Sequence, residues 1–203
     1  MLAEPIAWLH DIGSFPQYAE YRTFRDSISV NHAALGAAIL SEQGVLKKLG
    51  ERERELVLQS VRYHNAYAVP DIRDADAVFF LKLIRDADKI DIWRVFAEHH
   101  ESPSGDGTPV VNLGLPAGPG YSDEALSCIF NKRVATLSIL KNRNDFTLLQ
   151  LTWIYDLNFR PAFRMLQEKD YLRRLMRTLP DTAEIRHATD VLEEHVRRNI
   201  QEA

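Results

Sequence analysis

The 203-residue chain has one cysteine, Cys128, so no disulfide can form within it, and a reducing compartment is the natural expectation. Long apolar runs are also missing. No uninterrupted stretch approaches the roughly 18 residues a membrane-crossing helix needs, and the N-terminus lacks the basic-then-apolar pattern of a secretory leader. Nor is there an excess of basic charge: 25 Lys and Arg stand against 29 Asp and Glu, a net charge of -4. A general nucleic-acid binder needs a basic face to neutralise phosphates, so nucleic acid is not expected as a partner, and neither is a membrane. What remains is a chain that is 45% apolar, enough to build a core, and the expectation is a cytoplasmic globular protein.

Apolar spacing is helical almost everywhere. It predicts helices over 2–13, 30–43, 51–66, 73–99, 123–141, 145–159, 161–178 and 181–200, and the fold class is all-α. Gly44 and Gly50 punctuate the second and third of these, and Pro70, Pro161 and Pro180 mark starts or breaks. The one strand candidate is Thr108 to Leu113. It lies within a shift to Ser, Gly and Pro from Ser102 to Ser122, with Gly105, Gly107, Gly114, Gly118 and Gly120, which reads as a long irregular connection, either a lid or a passive insertion. The expected organisation is a single domain over 1–203: a half carrying the chemistry over 1–100, the loop over 102–122, and C-terminal helices over 123–203.

The chemistry sits in the first half. His10-Asp11-Ile12-Gly13 closes the first helical segment, and a histidine beside a carboxylate can face one ion only where a helix ends. Gly13 is expected to supply that end by taking the left-handed conformation. His64 continues the stripe Leu56, Val57, Ser60 and Val61, so its ring should point into the apolar face. Asp88 follows Phe80, Leu81 and Ile84 at helical spacing and is expected to be buried, which costs several kcal/mol unless the carboxylate is paired or metal-bound. A lone histidine on an apolar face is ordinarily a hydrogen-bonded core residue. Three histidines and two aspartates from four helices are more than that, and suit a nitrogen-and-oxygen cage for a divalent metal.

In order, His10-Asp11-Ile12-Gly13, His32 within Ser29-Val30-Asn31-His32-Ala33-Ala34-Leu35-Gly36, His64 within Val61-Arg62-Tyr63-His64-Asn65, and Asp88 within Arg85-Asp86-Ala87-Asp88-Lys89-Ile90-Asp91 resemble the HD-domain superfamily of metal-dependent phosphohydrolases. The resemblance covers about the first half of the chain. It implies an HD-type helical bundle with additional C-terminal helices, His10, Asp11 and Asp88 as ligands of one metal with Asp11 bridging, and His32 and His64 as ligands of a second. Asp11 and Asp88 are then the catalytic carboxylates. The chain also departs from the family pattern. Family members carry a further histidine upstream of His-Asp, whereas none of the nine residues before His10 is His, and Ser14 stands where Lys is frequent. Two explanations stay open: a translation start upstream of Met1, or a complete chain whose site is degenerate; His99 and His100, expected to be exposed at a helix end, offer a substitute for the missing ligand. His64 is followed by Asn65, and Val69-Pro70 lacks a preceding Gly-Tyr, which sets aside the cyclic-dinucleotide phosphodiesterases. The Glu-Asp pair of guanosine-polyphosphate hydrolases is not evident.

Three further groups bear on a substrate. Arg22 and Arg25, between the first two ligand segments, are suited to bidentate contact with a phosphate, or are an ordinary solvated loop. Asp156 is the one charge in the apolar segment from Phe146 to Phe159, and needs either a structural arginine or a place in a substrate pocket. Arg173, Arg174 and Arg177, beside Glu168 and Asp170, read as a solvated helix face. The resulting expectation is a phosphomonoesterase or phosphodiesterase acting on a small phosphorylated molecule, a nucleotide or related ester, with one or two divalent ions. Mn, Fe, Co, Ni or Zn suit these ligands better than Mg. The alternative is a non-catalytic HD-fold module that binds a nucleotide or a protein. Whether like chains assemble into a homo-oligomer is left open.

Overall fold

The computed structural model describes residues 2–101 and 113–201. Ten α-helices follow in order: α1 (Ala3–Leu9), α2 (Ser14–Tyr21), α3 (His32–Glu42), α4 (Glu51–Tyr63), α5 (Ala75–Glu101), α6 (Asp123–Phe130), α7 (Arg143–Thr152), α8 (Arg160–Glu168), α9 (Tyr171–Met176) and α10 (Ala183–Gln201). Short 3-10 turns lie at Asp26–Ile28, Leu137–Ile139 and Trp153–Asp156. No strand occurs among the described residues, so the protein is all-α. None of its described helices is long and apolar enough to cross a membrane. The strand candidate at 108–113, apart from Leu113, and the greater part of the irregular connection, 102–112, lie outside the described residues.

Two compact units divide the chain, 1–87 and 88–203. The division falls inside α5 rather than at the Ser, Gly and Pro shift. The first unit packs α1, α3, α4 and the start of α5 around Ile6, Ala37, Leu40, Val57, Val61, Leu81 and Ile84. The second is centred on Trp93, Leu148, Leu151, Ile154, Leu166, Leu175 and Leu192.

Several helices begin where a side chain satisfies a free amide. Asn31 accepts from the Ala34 amide at 2.8 Å to open α3, Glu53 accepts from the Gly50 amide at 3.1 Å to open α4, and Asn142 accepts from the Asp145 amide at 3.0 Å to open α7. Some boundaries depart from the apolar pattern. The pattern ends its first helix at 13 and misses α2, whose Pro16 lies in the first turn, where an amide proton is not required. α6 stops at Phe130 instead of reaching 141. Lys132 turns left-handed there (φ 50), and the Arg133 amide donates to the Cys128 carbonyl at 3.0 Å, the closure that normally recruits glycine. A left-handed Asp170 (φ 54) likewise splits the expected 161–178 helix into α8 and α9.

Gly13 needs a different explanation from the one its sequence suggested. Its φ is -72 and its ψ -18, ordinary right-handed values, so no left-handed residue ends the segment. Its small size is what the fold uses: a Cβ there would lie 2.1 Å from the His32 carbonyl oxygen and 2.6 Å from the Gly36 amide nitrogen. The Asp11 turn and α3 meet backbone to backbone at this point.

Candidate metal centre

Each side chain of the centre sits at the end of a helix. His10 and His64 are the residues that close α1 and α4, His32 is the first residue of α3, and Asp11 lies in the turn between α1 and α2. The last carbonyls of a helix lack internal partners, and the two closing histidines use them in the same way. His10 Nδ1 donates to the Ala7 carbonyl at 2.8 Å and His64 Nδ1 donates to the Val61 carbonyl at 2.8 Å. His32 Nδ1 donates instead to Asp26 Oδ1 at 2.9 Å. Because all three partners are acceptors, each Nδ1 carries a proton, and in the neutral ring Nε2 is the lone-pair atom.

Those Nε2 atoms converge on one carboxylate. His32 Nε2 is 3.3 Å and His64 Nε2 3.5 Å from Asp11 Oδ1, and His10 Nε2 is 3.5 Å from Asp11 Oδ2. His32 and His64 bring their Nε2 atoms within 3.1 Å of each other. Asp11, His32 and His64 each offer one ligand atom, all within 4.8 Å of one another. Acceptors crowded in this way repel unless a cation lies among them, so the donor set fits a divalent metal.

A proton answers the same need. Burial opposes charge on His32, but its hydrogen bonds and attraction to Asp11 and Asp26 outweigh that and push it up to about 9. Burial likewise opposes charge on Asp11, yet hydrogen bonds with His32 and His64 and the charge of His10 hold it well below the usual carboxylate range. His64 is 3% exposed, whereas the Asp11 side chain is 53% exposed, so the cluster is closed behind and open to solvent in front.

Supports that sequence spacing did not reveal stand behind these ligands. Asp26 accepts from His32, from Gln17 Nε2 at 2.9 Å, and through its other oxygen from Asn65 Nδ2 at 2.7 Å. Arg85, almost wholly buried on α5, donates to the His64 carbonyl at 3.0 Å and to the Ala66 carbonyl, fixing the end of α4.

The other expected site residues vary in their surroundings. Asp88 opens the second unit on α5 and is half-buried, not buried; Asp86, also on α5, is the buried carboxylate of this stretch. The spacing of Phe80, Leu81 and Ile84 overstated its depth. Arg22 and Arg25 are exposed, and Arg22 ends α2 in a left-handed conformation (φ 56). Asp156 forms an ion pair with Lys89 at 2.8 Å. Arg173 pairs with Glu193 and Arg174 with Glu101, as suits a solvated face. His99 and His100 lie three turns beyond Asp88 on one helix, about 16 Å along the axis, and belong to no ligand group among the described residues. They do not replace the absent histidine.

A family model described as HD domain matches residues 2–134. No curated protein and no solved structure matches the chain.

Proposed function

The chain belongs to the HD-domain family, which generally contains metal-dependent phosphohydrolases, and from that premise we propose that it hydrolyses a small phosphorylated molecule, a nucleotide or related ester. The observation that carries this reading is the meeting of the His10, His32 and His64 Nε2 atoms on Asp11 with every Nδ1 already engaged. Imidazole with carboxylate favours Mn, Fe, Co, Ni or Zn over Mg. Asp11, His32 and His64 hold the ion, His10 stands beside them, and Asp88 is the second carboxylate the family resemblance supplies. When bound, such an ion acidifies a water near neutral pH and opposes the charge that develops on phosphoryl oxygens. The chain's own groups do the rest. The exposed front of Asp11 admits the ester, Arg22 and Arg25 are suited to grip its phosphoryl oxygens, and the Lys89–Asp156 pair offers polar contact to the remainder of the substrate.

The test is elemental analysis of protein purified without chelators, followed by a screen of phosphate monoesters and diesters. Stoichiometric metal and turnover that disappears in Asp11→Ala support the proposal. Metal-free protein that binds a nucleotide without cleaving it favours a binding module instead.

A further inference from the structure

Behind the ligands lies a carboxylate that the family motifs do not contain. Asp26 sits in the loop between α2 and α3, at the 3-10 turn Asp26–Ile28, and is only half-buried. Four groups from three parts of the first unit nevertheless point at it. Its Oδ1 accepts from His32 Nδ1 at 2.9 Å, from the His32 backbone amide at 3.3 Å and from Gln17 Nε2 at 2.9 Å, while Oδ2 accepts from Asn65 Nδ2 at 2.7 Å. Gln17 is fully buried, and the same amide reaches Ser29 Oγ and the Val30 carbonyl. With three acceptors around it, that end of the side chain must be the nitrogen. The loop is therefore clamped to α2 on one side and to the end of α4 on the other, with His32 held between.

The three histidines are not held alike. His10 and His64 rest on carbonyls of their own helices, which exist wherever the helix exists. His32 opens its helix, so it has no preceding turn to supply an acceptor, and its ring orientation depends on a side chain 6 residues earlier. We infer that Asp26 is the positioning residue of the centre. It fixes the Nδ1–H tautomer of His32 and aims Nε2 at Asp11, and through Asn65, the neighbour of His64, it ties the α4 end to the same anchor. A carboxylate behind a ligating imidazole also makes that imidazole a stronger donor than a carbonyl does. The inference deepens the metal-dependent reading and rests on it for the metal, but not for the tautomer.

Two readouts separate the ideas. Nitrogen NMR of the metal-free protein above pH 9, where the His32 ring is neutral, reports which of its nitrogens carries the proton, and calorimetry with Mn or Zn reports affinity. Asp26→Ala is expected to lose the single His32 tautomer and to weaken metal binding roughly 10- to 100-fold. Asp26→Asn keeps an acceptor, so it should restore the tautomer and recover only part of the affinity. Ser29→Ala removes one contact of Gln17 but leaves Asp26 on His32, and should behave as wild type. Wild-type affinity and an unchanged His32 tautomer in a folded Asp26→Ala overturn the inference. If Asp26→Ala fails to fold, an Asp26→Asn variant whose tautomer is scrambled, or whose affinity equals wild type, overturns it equally. Wild-type protein that takes up no metal sinks the proposed function, while the tautomer measurement still decides the role of Asp26.

Discussion

Asp11 carries more of the centre than any other side chain, because three imidazoles face its carboxylate. Asp11→Ala should leave less than a tenth of the wild-type metal on the purified protein, read by elemental analysis, with helical content unchanged by circular dichroism. Gly13 is the second sensitive residue. Gly13→Ala drives a Cβ into the His32 carbonyl, so the backbone must move, and overpacking of this kind costs roughly 1–3 kcal/mol. Urea denaturation would show the loss as a lower midpoint at constant slope. At this scale His10, Asp11, His32 and His64 were legible as candidates from the apolar stripes and the order of their motifs, and the fold brings their side chains together. Asp26 was not legible: it belongs to a loop with no period, and its partners lie 9, 6 and 39 positions away. Gly13 was noticed for the wrong property, since close approach leaves no trace in local sequence.

At the scale of elements, the apolar stripes located α3, α4, α5, α7 and α10, and erred where a single residue overrides a period. Left-handed Lys132 and Asp170 end helices that their neighbours would continue, and neither residue type announces the turn as glycine does. The last helix also carries a titration. His195 on α10 lies with its ring 4.9 Å from Tyr155 and 6.0 Å from Phe163; burial, then the charge of Lys132, then that of Arg198 lower its pKa, against a hydrogen bond at the Ile154 backbone. The folded chain thus binds fewer protons here than the unfolded chain, in which histidine titrates near 6.5. Stability is complete above that value and declines as pH falls through it toward the lower folded pKa. His195→Gln should flatten this dependence between about pH 7 and pH 5, seen as a smaller shift in the urea midpoint than wild type shows.

For the molecule as a whole, the candidate ligands Asp11, His32 and His64 all lie in the first unit. A ligand that binds only the folded state stabilises it by about 2.7 kcal/mol when present at 100 times its dissociation constant. Adding Mn or Zn should therefore raise the unfolding temperature, and a chelator should reverse the gain. Hydrogen exchange should place the added protection in α1, α3 and α4, with α6 to α10 unchanged; uniform protection across both units would contradict this. The all-helical architecture was legible from composition and period together. The division of the chain within α5 was not, because one uninterrupted helical pattern spans it.

The meeting of Gly13 with Gly36 also says how this protein can diverge. The Gly13 Cβ position lies 2.6 Å from the Gly36 amide and the Gly36 Cβ position 3.2 Å from the Gly13 amide, so main-chain approach sets the spacing between the Asp11 turn and the helix that His32 begins. Leu40 and Val57 are then free to exchange for other apolar residues of similar volume without altering that spacing. In a saturation library selected for metal uptake, those core positions should drift among aliphatic residues. Gly13 should return as glycine alone, and Gly36 should admit alanine at most.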